Sequence, residues 1–535
     1  MKTKRENIEW LFPILSLFVS IIVAIIVNIH SGKSVSSDEV YVMVERMTTG
    51  YQIKQIASVS LLFLFGFIVS FVLWGDESIV KVVSWSLPIA VVLWCTSSLG
   101  LLLLSIPYNI YTALLSLVLI STALCFSNFD KLKKIKSFRN IRALLCVLSL
   151  IVLISSGIRA FPIFLSADSY YCVMQYGEVI AKTGSLLYET SGMNMSSTGT
   201  SFALLSSFST LFGYETITVT HWGLILSLLL GISHETYASM LKSHSAKKAH
   251  VYAVVVSLLL AFMPPFMILS TWVISNTYCM VLLFFLMTGV YQYSLQSREN
   301  DCLILVMALF VVCIGMGRAE MPVCMAALIV SFGTIVSSRR GMLILSVPVA
   351  VYESAFLGRL VIQRRSSNEI VDMNFYPRWV ILALLFAVWA TVLYALLLKT
   401  KAEVLLNKYI SRVFIIILPI LCCLTVLKGK ESFLINIGSI WYNLNNAYWG
   451  TVPILLAILA IIYALIFRKV SFYLLFSYVY LFMNLLTCLG KDSLLRNGVG
   501  DSCNRMLVSA LPILYFSFVE GIGTQCNVKI QEEVG

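Results

Sequence analysis

Charge is what this sequence has least of. Only 12% of its 535 residues are Asp, Glu, Lys or Arg, while 59% are hydrophobic. A water-soluble chain of this length would divide into several domains with charged surfaces. No stretch here has that composition, and no soluble domain is visible. The alternating pattern of a β-barrel strand is also missing. The 13 cysteines form no C-x-x-C pair and no zinc spacing, and the five histidines give no H-E-x-x-H motif. Cys95, Cys313, Cys422 and Cys423 sit in apolar runs, where cysteine behaves as a small hydrophobe. No period of about 20–50 residues repeats, which excludes solenoids.

What is present is a succession of apolar runs of about 17–25 residues, the length that crosses the hydrocarbon of a bilayer. The expectation is an all-α polytopic membrane protein with about 14–16 transmembrane helices. The net charge of +12 then belongs to loops on the cytoplasmic face, and nucleic acid is discounted as a partner. Met1 to His30 pairs a basic start with an apolar core. No small-residue cleavage site follows, so it is expected to stay as a first helix.

Lys2, Lys4 and Arg5 place the N-terminus inside. Expected spans at Leu11–Ile29, Gln55–Trp74, Ile79–Leu104 and Pro107–Phe126 bring the chain back to the cytoplasm. There Lys131, Lys133, Lys134, Lys136, Arg139 and Arg142 form its most basic loop. Ala143–Gly157 crosses outward, so the segment after Ile158 is external. Thr200–Phe212 is a weak, serine-rich segment, expected to be re-entrant or external. Ile217–Met240 is a strong span and Lys242–His250 a basic cytoplasmic loop. Further spans are expected near 251–270, 277–295, 302–316, 321–336, 341–357, 379–398, 410–427, 451–467, 470–489 and 506–522. Three regions result: 1–142, 143–340 with an external loop at 158–200, and 341–535. Both termini are then cytoplasmic, and the location expected is a plasma membrane, bacterial inner membrane in type.

The most informative stretch is Ile158 to Gly184. As a helix from Asp168, it puts Asp168, Tyr171, Gln175, Glu178 and Lys182 within an arc of about 80°. Val173, Met174, Gly177, Ile180 and Ala181 lie opposite, and Gly184 is a natural stop. Such a helix beside a span lies in the membrane interface. Asp168, at its start, also suits a helix N-cap.

The same sidedness collects other polar residues outside. Arg318 and Glu320 stand between two apolar runs with almost no loop, where charge marks a site or a local ion pair. Arg505 precedes the last span and also fits a snorkelling anchor. Arg364, Arg365 and Arg378 fall in an expected loop at 358–378. External arginines run against the positive-inside trend, and a bound phosphate is one physical reason for them. The aromatic stretch Gly438–Gly450 suits an interfacial belt, and also sugar faces.

With these residues in place, the chain resembles the GT-C membrane glycosyltransferases, which include protein mannosyltransferases and aminoarabinose transferases. The resemblance rests on SADSYYCVMQYGEVIAKTG and on GDSCNRMLVSALPIL, and spans roughly residues 143–330 and 490–520. Ser169 stands where that family has a second acidic residue, and four spans precede the one that delivers the motif. The resemblance implies a sugar donor carried on a polyprenyl phosphate and a glycan, lipid or protein acceptor on the external face. It implies Asp168 as general base, with Tyr170, Tyr171 and Arg505 at its motifs as substrate contacts; the polar stripe and the charged turn add Glu178, Arg318 and Glu320 as further expected substrate contacts. No cofactor is called for; a divalent metal is compatible with the chemistry, but no motif indicates one. Two other classes stay open. A polysaccharide polymerase or ligase with a diphosphate-linked donor would depend on the 358–378 arginines. A secondary transporter or lipid flippase would show paired halves and broken helices, for which only Pro264-Pro265 offers a break.

Overall fold

A computed structural model describes residues 49–126 except 76, 173–185, 200–261 except 215, 216 and 243, 273–296, 300–317, 331–366 except 337, 378–398, 472–489 and 509–517, with scattered positions in 266–328 and 416–442. Among the described residues all regular structure is helical. The helices named here are α1 (Thr49–Trp74), α2 (Ile79–Leu103), α3 (Ile110–Phe126), α4 (Gln175–Thr183), α5 (Ser201–Leu211), α6 (Thr218–Leu241), α7 (Ala246–Ala261), α8 (Ser275–Leu295), α9 (Asp301–Gly315), α10 (Arg339–Ser366), α11 (Arg378–Leu397) and α12 (Phe472–Leu489). Four of them contain a stretch long and apolar enough to cross a membrane: Ile53–Trp74, Ile79–Leu103, Val219–Leu241 and Ser275–Leu295. Outward-facing Tyr111, Leu115, Leu119 and Phe126 on α3, and Phe386, Trp389, Leu393 and Leu396 on α11, recur at helical spacing. Stripes of that kind suit lipid rather than water.

The chain forms two compact units. One comprises Met1–Met193, Thr200–Phe285 and Tyr515–Gly535; the other comprises Asn194–Gly199 and Leu286–Leu514. In the first, α1 and α2 are antiparallel around the short turn Gly75–Ser78. Helices in lipid gain little from hydrophobic burial against each other, so close backbone approach decides which faces pair. Gly66 provides it. A Cβ there would fall 1.8 Å from the Ser86 carbonyl oxygen and 2.8 Å from Ala90. Ser70 Oγ adds an interhelical hydrogen bond to the Val82 carbonyl at 2.8 Å. Near the turn, the Lys81 side chain is only 5% exposed; it pairs with Glu77 at 2.6 Å and sits 5.3 Å from the Trp74 ring. Trp74, Trp85 and Phe285 continue the aromatic packing, with centroids 4.3 and 4.8 Å apart.

Contacts fix the two ends of α2. At its start, Ile79 and Val80 pack with Tyr237 of α6 and Ala253 of α7. Its far end closes on a turn in which Ser105 takes a left-handed φ of 55° and Ile106 donates to the Leu101 carbonyl. That turn carries Tyr108, which lies against Gly184 at the end of α4. The α6–α7 hairpin and α4 therefore occupy opposite ends of this unit.

In the second unit, the Asn300 side chain caps α9 by accepting from Leu303 N–H at 3.2 Å. Asp301 in the first turn of α9 pairs with Arg340 of α10 at 3.1 Å. Tyr394 of α11 donates to the Gly333 carbonyl at 3.0 Å, and Trp389 to Ser354 at 3.1 Å.

Two expected loops differ. The 358–378 loop is shorter, because α10 runs on to Ser366 and takes in Arg359, Arg364 and Arg365. LGRLVIQRR holds no proline, and its leucine, glutamine and arginine residues favour helix. At 28 residues α10 is about 42 Å long, more than the hydrocarbon requires. The basic loop at 242–250 also shortens, since Lys247, Lys248 and His250 belong to the first turns of α7. The expected spans at 1–48, 127–172 and 451–467 lie outside the described residues.

His250 stacks on Tyr237 with centroids 4.5 Å apart, and burial holds its imidazole below the usual value. The unfolded chain therefore binds a proton more readily, and stability is lost as pH falls through the unfolded value of about 6.5. Thermal unfolding in detergent should weaken from pH 7.5 to 5.5, and His250→Phe should flatten that slope; an unchanged slope would exclude the contribution. Gly66→Val should lower the unfolding midpoint sharply, whereas Gly100→Ala, with nothing within 4 Å of its added Cβ, should not.

Candidate functional site

α4 forms from Gln175 to Thr183, and Gly184 ends it in the left-handed region at φ 63°, donating to the Ile180 carbonyl at 2.9 Å. Val173, Met174, Tyr176, Gly177 and Ile180 are buried, and Gln175, Lys182 and Thr183 are exposed. Glu178 and Lys182 form an i,i+4 ion pair on the outer side. The Glu-before-Lys order agrees with the helix dipole, and an exposed pair of this type contributes about 0.3–0.5 kcal/mol.

The buried side of α4 rests on α5. A Cβ at Gly177 would meet Ser206 Cβ at 2.6 Å, the Ala203 carbonyl at 2.7 Å and Ser207 N at 2.8 Å. Only glycine permits that approach without a shift of one helix. α5 is itself enclosed: every residue from Ser201 to Ser209 is buried. Its 11 residues extend about 16 Å, half the hydrocarbon thickness, so this segment cannot cross by itself.

α2 holds the other side of α5 through side chains that donate to helix carbonyls. Trp94 Nε1 donates to Leu204 O at 2.9 Å, and Cys95 Sγ to Ser201 O at 3.2 Å. Trp94 also meets Phe208 edge-on at 4.8 Å, and Phe202 packs on Tyr278 of α8 at 5.1 Å. Tyr108 closes the arrangement. Its hydroxyl lies 2.7 Å from Ser207 Oγ and donates to Ser98 Oγ at 3.2 Å. Burial pushes this phenol up to about 12, so it remains a neutral hydroxyl in any physiological medium. α2, α4, α5 and the Tyr108 turn thus pack together as one seat.

Of the residues expected at a site, Glu178 is placed: it stands on the outer side of this seat, bonded to Lys182. Asp168, Tyr170, Tyr171, Arg318, Glu320 and Arg505 lie outside the described residues. Among the described residues, no three His, Cys, Asp or Glu side chains come together as a metal site would require. Sequence reasoning missed Tyr176, Gly177 as a crossing point, Trp94 and Tyr108. The pairing of a mid-helix glycine in QYGEV with the serine-rich SFALLSSFS was the available signal, since small residues face small residues where helices touch.

Gly177→Leu should detach α4 from α5, lowering the unfolding midpoint and exposing the segment to protease. Tyr108→Phe should cost about 1 kcal/mol, the usual worth of a buried hydrogen bond, with no change in helix content by circular dichroism. Comparison with known proteins adds no family: no family model matches the chain, and neither a curated protein nor a solved structure does.

Proposed function

We propose that the protein is a membrane glycosyltransferase of GT-C type, moving a sugar from a polyprenyl-phosphate donor to an acceptor on the external face. The observation that carries the reading is the seating of α4. The helix that follows the Asp168 segment is fixed at one end of its unit, with its charged side turned outward. The Asp168 segment precedes this helix in the chain.

The chemistry needs few groups. Asp168 takes the proton of the acceptor hydroxyl as that oxygen attacks the anomeric carbon. The bond from that carbon to the phosphate oxygen breaks, and the phosphate leaves with the electron pair. A phosphate is already a weak base, so it requires positive charge rather than a proton. Arg318 and Arg505 supply that charge. Tyr170 and Tyr171 line the sugar, Glu178 and Glu320 bind polar groups around it, and the polyprenyl tail lies between helices. The protein acts in a plasma membrane with both termini cytoplasmic.

One observation favours the polymerase or ligase alternative. Arg364 and Arg365 end α10 and Arg378 begins α11, so basic residues bracket residues 367–377. In membranes containing the protein, polyprenyl-phospho-mannose and polyprenyl-phospho-aminoarabinose should release polyprenyl phosphate when acceptor lipid is present. Asp168→Asn should lower that release by at least 100-fold at unchanged protein level, the scale of a lost general base. Full release by Asp168→Asn, with loss on replacing Arg364, Arg365 and Arg378 by alanine, would overturn the transferase reading in favour of the alternative.

A further inference from the structure

The α6–α7 hairpin, at the opposite end of the unit from α4, has a composition that the proposed transfer does not use. Lys242 follows α6, and Lys247 and Lys248 lie in the first turn of α7; all three are exposed. Among the described residues none of the three side chains has a hydrogen bond or an ion pair, whereas Lys81 and Lys182 each pair with a glutamate. Three unneutralised ammonium groups within one hairpin repel each other. The arrangement is favourable where an anion lies between them.

The surface next to them says what kind of anion. Val251, Val255 and Leu259 are exposed and follow one another every fourth residue, a single stripe along α7 that starts one turn beyond the lysines. Tyr252, half exposed beside that stripe, packs edge-on against His244 of the turn at 5.3 Å, and His250 stacks on Tyr237 at 4.5 Å. His244 N–H donates to the Met240 carbonyl at 2.9 Å, so the turn that presents the lysines is ordered. A cationic head, a tyrosine at its edge and an apolar stripe below match a phosphate-bearing headgroup with an acyl chain beneath it.

We propose that the α6–α7 hairpin binds an anionic phospholipid, with Lys247, Lys248 and Lys242 on the phosphate and the Val251–Val255–Leu259 stripe along an acyl chain. The site is independent of the transfer chemistry and lies away from α4. Native mass spectrometry of the intact protein in non-ionic detergent, with equal phosphatidylglycerol and phosphatidylcholine, tests it. The wild-type protein should retain phosphatidylglycerol in preference. Lys247→Gln/Lys248→Gln should lower that retention about tenfold while leaving phosphatidylcholine and the unfolding midpoint unchanged. Lys247→Arg/Lys248→Arg should retain it, and so should Lys54→Gln on α1. Equal retention of both lipids by the wild type, or undiminished phosphatidylglycerol in the glutamine variant, would overturn the proposal. Displacement of phosphatidylglycerol by an equal concentration of glycerol 3-phosphate would overturn it too, because the acyl stripe would then contribute nothing.

Discussion

The first unit depends on the enclosure of α5. An apolar chain in a membrane has many ways to pair its helices, because lipid solvates each apolar face nearly as well as another helix does. Contacts that lipid cannot imitate break the tie. α5 makes several: a backbone crossing at Gly177, and donors from Trp94 and Cys95 to its carbonyls. Such bonds are strong where no water competes, and the serines of α5 keep its surface small enough for neighbours to reach the backbone. The same segment is too short to cross the bilayer, so protein on all sides is what makes its burial tolerable.

The consequence reaches the proposed chemistry through α4. Gly177 and Ile180 face inward, and Glu178 and Lys182 face outward, so the docking that fixes the helix also fixes which charges it presents. Tyr108 links the α2–α3 turn to Ser207 and lies under Gly184, tying both ends of the seat to one helix pair. Catalysis by a single carboxylate requires this kind of order, because orientation and not chemical novelty supplies most of the gain. At the far end of the same unit, the lysines of α7 meet a different requirement, that of holding the hairpin against a charged lipid surface.

Much of the helical layout was legible in the sequence. The expected spans at Gln55–Trp74, Ile79–Leu104, Ile217–Met240, 277–295, 302–316, 379–398 and 470–489 differ from α1, α2, α6, α8, α9, α11 and α12 by a few residues at most ends. Hydropathy gives this because length and apolarity are what the bilayer demands. Gly184 was legible as a stop, since glycine alone takes a left-handed φ at no cost. What hydropathy did not give was partnership. Tyr176 reads as one more aromatic, yet it is buried, as Ile180 is. Tyr108 reads as part of a span, yet it is a hydrogen-bonded turn residue. The ends of α7 and α10 were misjudged for a related reason: charge ends a membrane span but does not end a helix. Most of the expected site, Asp168 foremost, lies outside the described residues, so its chemistry rests on the sequence pattern.

The account turns on which side of the membrane Asp168 occupies. The most direct measurement places a single cysteine at Ser169 in a chain stripped of its native cysteines, and labels intact cells with a membrane-impermeant thiol reagent. Labelling of intact cells is the result this account requires, since donor phosphate and acceptor are proposed to meet outside. Labelling only after permeabilisation would put Asp168 in the cytoplasm and contradict it.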